Sequence, residues 1–379
     1  MPTLMPSDAW SKMRDDMGMI DAKTTWERYC AEELVRTRPI LERHGFELDE
    51  TQVHLGGERA VISGNKLVLV GRRIADGKRV IIKASSQDDG KRELLQERTS
   101  RELLRRINFA YAVLLSPEDL GWFEEGGSIV SVTAFLEQDH AFLERPLIEQ
   151  FFLAMKAFEI QESFHAATYE QTRSIQGVLG FYHATTYLER FEDYRRAILV
   201  RKLERSGVES MLDRAAKKLE DGKERIEQYG GFLTHTDFVP HNFRIIGRDI
   251  YLLDHSSIRF GNKYEGWARF LNFMLLHHRE LETAVLKYLA NNRTYEESEA
   301  LVLMRIYRLA EIVAYYVKRL ERSTGNLHEL DSARVEFWLD ALEAQVDGKP
   351  LSEERIRAYR QKRDALRSED EKQRQRGLH

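Results

Sequence analysis

The chain has 379 residues, 42% of them hydrophobic and 32% charged, with a formal net charge of −4. That length suits two or three packed lobes, and the slightly acidic balance excludes a dedicated nucleic-acid binder, which carries a basic excess. A single cysteine, Cys30, excludes an internal disulfide framework or a cysteine metal cluster. No apolar run approaches the ~20 residues of a membrane helix, and the first residues lack the basic and apolar regions of a secretory signal, so the expectation is a cytoplasmic protein with neither membrane nor nucleic-acid partners.

In chain order, residues 8–46 read as helical, with Trp10, Met13, Met17, Trp26, Tyr29, Leu34 and Ile40 at helical spacing between charged residues. Near residue 50 the period changes. Ala60–Ser63, Lys66–Arg72 and Lys78–Ala84 are short apolar or β-branched runs, separated by Ser63-Gly64-Asn65 and Ala75-Asp76-Gly77. Those separators are turn chemistry, which predicts an antiparallel meander. A charged amphipathic helix over 91–107 follows, then a strand pair near 119–135 that turns at Gly126-Gly127. From Pro146 helices dominate: a buried one around Phe151–Phe164, and one or two charged ones over 184–228. A strand–loop–strand at 232–254 interrupts them before helices resume from Gly266 to about residue 345. The tail after Ser352 carries dense charge of both signs and reads as a solvated or frayed helix. The pattern gives an α+β, two-lobe chain: a helical extension (1–50), a small antiparallel-sheet lobe (51–137), a large helical lobe (138–345) and a charged tail (346–379).

The chemistry concentrates between Thr234 and Ser257. His235, Asp237 and Asn242 fall in one short loop, and Asp254 ends the strand Ile250–Leu253. Two carboxylates and an amide a hairpin's length apart form an oxygen-rich site for a hard divalent cation such as Mg²⁺, which keeps part of its shell for phosphate oxygens. One carboxylate can stay off the metal and orient a hydroxyl nucleophile, as phosphoryl transfer requires. A metal-dependent hydrolase built on His235, Asp237 and His241 is a lesser alternative, since it leaves the sheet lobe and Lys83 without a role.

His235-Thr-Asp237-Phe-Val-Pro-His-Asn242, followed by Leu252-Leu253-Asp254, resembles the catalytic segment of the aminoglycoside phosphotransferase and choline kinase-like family. The family pattern is H-G-D-x-x-x-x-N and then a strand ending in I-D, and the likeness covers roughly residues 55–275. It implies a bilobal protein kinase-like fold and an ATP- or GTP-dependent transfer of the γ-phosphoryl group to a hydroxyl of a small molecule. Within it Asp237 would be the catalytic residue, Asn242 and Asp254 would hold Mg²⁺, and His235 would be scaffold. Val80-Ile81-Ile82-Lys83 resembles the kinase V-A-I-K strand, whose lysine contacts the α/β-phosphates. A helix glutamate should pair with Lys83. Glu97 is the choice, with Glu93 next and Glu102 remaining, although a gapless match puts Ser100 at that place.

The glycine loop departs from the pattern, and Ser63-Gly64-Asn65 is its counterpart, able to hold phosphate through backbone N–H groups. Thr133–Glu137 would be the hinge, with adenine bonded at Ala134 and Leu136. Gly261-Asn-Lys-Tyr-Glu-Gly-Trp-Ala-Arg269 resembles the family's G-D-x-x-x-D-L-A segment, with its second aspartate falling on Gly266 beside Glu265. Glu189, Glu192, Asp193, Glu265 and Glu280 are acidic positions that could attract a cationic acceptor. Two other readings share the fold. A nucleotide-binding pseudokinase or regulatory module is opposed by the intact Lys83, Asp237, Asn242 and Asp254 set, and a protein kinase by the lack of an activation segment after Asp254.

Overall fold

The computed structural model describes residues 22–56, 66–106, 115–165 and 169–378. The expected strand at Ala60–Ser63, the turn Ser63-Gly64-Asn65 and the helical stretch before residue 22 lie outside these. The first element is α1 (Ala22–Arg43), then β1 (Phe46–Leu48), β2 (Leu67–Arg73), β3 (Arg79–Ser85), α2 (Asp88–Arg106), β4 (Asp119–Glu125) and β5 (Ser128–Ala134). The strands form one antiparallel sheet in the order β1-β2-β3-β5-β4. Side chains alternate across it. Val80, Ile82 and Ala84 of β3 are buried with Leu67, Leu69, Val130 and Val132, and α1 covers this core with Trp26 and Leu41. Lys83, out of step with Ile82, stands on the opposite face, where α2 lies.

The helical part begins with α3 (Leu147–Ser163) and α4 (Tyr169–Gln176). Where one or two charged helices were expected over 184–228, the chain forms three: α5 (Ala184–Val200), α6 (Val208–Asp221) and α7 (Lys223–Gln228). The break before α6 is made by Gly207, whose φ of 79° needs no Cβ. The interrupting strands are nested. β6 (Phe232–His235) pairs with β9 (Ile258–Gly261), and between them β7 (Phe243–Ile246) pairs with β8 (Asp249–Leu252). Then come α8 (Tyr264–His277), α9 (Arg279–Asn292), α10 (Tyr295–Leu320) and α11 (Gly325–Val346). α8 is buried on almost every face and runs through the centre of the large core.

The tail corrects its expectation. α12 (Glu353–Leu366) is capped by Ser352, whose hydroxyl accepts from the Arg355 N–H at 3.2 Å. It buries Ile356 and Tyr359, stacks Tyr359 on Phe337 at 4.2 Å, and sends the Arg360 guanidinium to the Leu276 carbonyl at 2.7 Å. Two apolar residues one turn apart were enough to dock a helix whose other faces are charged. α13 (Glu369–Leu378) follows.

Candidate active site

The nested strands fix three side chains. β6 ends at His235, which is fully buried. Its Nε2 lies 3.0 Å from the Leu253 carbonyl and its backbone N–H donates to Gln161. A ring tied to a carbonyl is spent on geometry, in keeping with a scaffold. The Thr236 N–H donates to the Ser257 carbonyl at 2.8 Å, closing β6 onto the start of β9. Asp237 therefore stands at the turn, half-buried. Asn242, after Pro240, donates its amide to the Asp237 carbonyl at 2.7 Å and to Asp237 Oδ2 at 2.8 Å. Arg269 of α8 donates from Nε to Asp237 Oδ1 at 2.8 Å. Burial favours a neutral Asp237, but the positive groups of Arg269, His235, Arg308 and His241 outweigh it and hold its pKa below the usual value.

Asp254 follows β8, brought beside Asn242 by the Leu253 N–H, which donates to the Asn242 carbonyl at 2.8 Å. Its φ of 52° is left-handed, a conformation that non-glycine residues adopt at a cost. The carboxylate accepts from the Ser256 hydroxyl at 2.7 Å, the Ser257 hydroxyl at 3.1 Å and Lys66 Nζ at 3.3 Å. Burial opposes its charge, yet Lys66 and Lys83 prevail and hold its pKa far below the carboxylate range.

On the sheet side, Lys83 Nζ donates to both Glu97 oxygens at 2.7 Å, with the lysine side chain 17% and the glutamate 7% exposed. Ser100 lies one turn further along α2, buried beside Gln96. Glu93 takes Lys66 instead, at 2.5 Å, and Glu102 takes Arg98 at 3.0 Å. At the end of β5 the Ala134 N–H is occupied by the Glu118 carbonyl at 2.9 Å, so Ala134 can offer only its carbonyl to a base. The Leu136 backbone makes no hydrogen bond among the described residues. Ser63, Gly64 and Asn65 lie outside the described residues.

An aspartate at Gly266 would crowd its neighbours. A Cβ at that position would sit 2.9 Å from Gln161 Oε1 and 3.3 Å from Thr234 Oγ1. Glu265 is not a cation trap either: it is fully buried and saturated by Arg259, Arg308 and the Tyr187 hydroxyl. Arg308 passes this support on by donating to the Thr236 carbonyl at 2.5 Å, next to Asp237. Glu192 and Asp193 are likewise paired, with Arg195 and Arg196.

Sequence reading missed Lys66, Arg269 and Arg308. Lys66 looked like the first residue of a strand, and Arg308 was one basic residue among many on a long helix. Arg269 alone had a signal, lying one turn after Gly266 in a segment already singled out. Beyond Asp237 opens a cavity of about 500 Å³ walled by α8, α10, α11 and α12.

No protein-family model matches the chain, and no curated protein matches it in sequence. Solved structures match in fold. The ligand-free structure of a thermostable mutant of the aminoglycoside phosphotransferase APH(4)-Ia covers 82% of this chain and 97% of its own, with 15% identity and a TM-score of 0.57. A ternary complex of that protein with ADP and hygromycin B covers 81% and 97%, with 16% identity and a TM-score of 0.56. The GDP complex of aminoglycoside 2′-phosphotransferase-IIIa covers 84% and 97%, with 10% identity and a TM-score of 0.54. The chain thus has the bilobal kinase-like fold of the aminoglycoside phosphotransferases.

Proposed function

We propose that this protein is a phosphotransferase that moves the γ-phosphoryl group of ATP or GTP to a hydroxyl of a small molecule. One observation carries the reading. The ammonium of Lys83, gripped by Glu97, is close enough to Asp254 to help keep that carboxylate charged, so a phosphate-binding cation and a metal-binding anion share one cleft. The structures with this fold that hold ADP or GDP support a nucleotide there.

The residues fit a magnesium ion. Asn242 turns its amide N–H groups to Asp237, leaving its side-chain oxygen for a cation, and Asp254 adds a charged oxygen donor. Mg²⁺ held there would neutralise charge on the β- and γ-phosphate oxygens. Lys83 would draw the phosphates into line, and Leu136 would meet the base with its unbonded backbone groups. Asp237 then orients the acceptor. The acceptor oxygen forms its bond to the γ-phosphorus, the bond to the β–γ bridging oxygen breaks, the nucleoside diphosphate leaves, and the hydroxyl proton passes to the Asp237 carboxylate. Arg269 and Asn242 hold that carboxylate in place and charged.

The test is transfer from γ-labelled ATP, with Mg²⁺, into a pooled metabolite extract. The reading expects a labelled small-molecule product from the wild type and far less in the same time from Asp237→Asn. Label appearing only as inorganic phosphate, across all acceptor pools, would sink it.

A further inference from the structure

The cavity beyond Asp237 brings five guanidinium groups together: Arg269, Arg308, Arg334, Arg363 and Arg367. Among the described residues that line it, the carboxylates are Asp237 and Glu311. Two of the arginines are committed. Arg269 is bound to Asp237, and Arg308 to Glu265, Glu311 and the Thr236 carbonyl. The three on the far wall keep donors in reserve. Arg334 gives one nitrogen to Asp331 at 2.7 Å, and Arg363 gives its Nε to Asp364 at 2.8 Å. Among the described residues Arg367 meets no carboxylate within ion-pairing distance, and its Nε is buried without a hydrogen-bond partner.

Arg363 and Arg367 lie one turn apart, where like charges repel. Burial, then the charges of Arg363 and Arg334, pull the Arg367 pKa down, with Glu371 only partly offsetting them. Such a cluster, with guanidinium hydrogens unspent, is a site for an anion: the planar fork matches phosphate and carboxylate oxygens. Tyr316, under Arg334 at 5.1 Å, and Trp338 add flat surfaces for the body of a ligand. The volume suits a molecule the size of a sugar phosphate. A polycation such as hygromycin B would face the same arginines as a repulsive wall.

We propose that the acceptor is a hydroxylated anion, its phosphate or carboxylate group held by Arg334, Arg363 and Arg367 and its hydroxyl presented to Asp237. The proposal rests on the phosphotransferase reading for the word acceptor; the anion site stands on the cavity alone.

The experiment uses the full chain. Inorganic phosphate, glycerol 3-phosphate, gluconate and hygromycin B are titrated separately by calorimetry, and protection of Arg363 and Arg367 from phenylglyoxal is read by mass spectrometry. At least one anion should bind saturably and protect both arginines, and the phosphate and gluconate arms decide which group is preferred. The double variant Arg363→Gln/Arg367→Gln should weaken that binding about 10–100-fold, as expected for lost charge-assisted hydrogen bonds, while Mg-ATP still binds and shows the variant to be folded. Failure of every anion to bind or protect the wild type overturns the proposal, as does undiminished binding by the variant or stronger protection by hygromycin B. A wild type that binds anions but no nucleotide overturns the phosphotransferase reading and, with it, the assignment of the anion as acceptor.

Discussion

Arg269 helps to set the charge that Asp237 carries. Because Arg269 and its neighbours outweigh burial, the Asp237 pKa lies below the ordinary carboxylate value of about 3.9. The carboxylate is therefore charged throughout the neutral range, and any loss of transfer through its protonation falls on the acid side of that value. Arg269→Gln should move the acid limb of the kcat/KM profile upward, and an unmoved limb would mean that Arg269 does not act on Asp237. Asp237→Asn should bind Mg-ATP nearly as the wild type does and transfer phosphate about 10²–10⁴-fold more slowly, the usual worth of a positioned acid–base group. Nucleotide titration beside single-turnover transfer separates the two effects.

Lys83→Met should weaken nucleotide binding, but it should also cost stability, because it leaves Glu97 charged and only 7% exposed. Stranding one member of a buried pair costs about 3 kcal/mol, and adding Glu97→Gln should return most of it. Urea unfolding of the two single variants and the double measures the coupling, and additive losses would deny it. The pair illustrates what was readable at this scale. Strand pattern gave Lys83, and helix spacing gave Glu97 over Ser100. Lys66, Arg269 and Arg308 escaped because each is defined by a partner 32 to 188 residues away, a distance no local pattern spans.

Among elements, α10 carries the most legible start. Thr294 and Glu297 form a capping box: the Glu297 N–H donates to the Thr294 hydroxyl at 3.2 Å, and the Thr294 N–H donates to Glu297 Oε2 at 3.0 Å. Glu297 Oε1 also accepts from Lys263 Nζ and the Tyr264 hydroxyl, both at 2.7 Å, tying α10 to α8. Burial works against its charge, but these donors lower its pKa to about 2. A depressed carboxylate contributes stability above its unfolded pKa and loses it as pH falls through the folded one. Glu297→Gln should therefore cost about 1–2 kcal/mol at pH 7, and the deficit should shrink as pH falls from about 4.5 towards about 2. A deficit independent of pH would show that charge is not what Glu297 contributes. Strands β2 to β6, β8 and most helices followed from period and turn residues, whereas β1 begins at the end of the stretch read as helical and β7 and β9 add to the two strands expected there. The docking of α12 did not, because charge density hid the short apolar stripe that holds it, and the nested pairing of β6 with β9 depends on contacts that begin only after Asp254.

At the scale of the whole molecule there are two cores, one under the five-stranded sheet and the other around α8, and Lys66 of the sheet side meets Asp254 of the helical side between them. A nucleotide bound there stabilises only the folded chain. Mg-ATP at 100 times its dissociation constant should add about 2.7 kcal/mol, seen as a rise in the thermal midpoint. No rise with either ATP or GTP at millimolar concentration would count against the site. The two-lobe architecture was legible because a period-2 region gives way to a period-3.6 region at one place. The arginine-lined cavity was not, since its four walls come from helices spread over about a hundred residues.

The far wall of that cavity has a place in time as well as in space. The ribosome makes α12 after β3, the nested strands, α8, α10 and α11, so a nascent chain halted near residue 350 already holds Lys83, Asp237 and Asp254 but neither Arg363 nor Arg367. In the order of synthesis the residues proposed to handle the nucleotide therefore all precede the cavity's far wall, which stays open on that side until α12 is added. Docking of α12 through Ile356, Tyr359 and Arg360 is the step that closes the far wall of the cavity, and any choice of acceptor that the proposed enzyme makes waits on it.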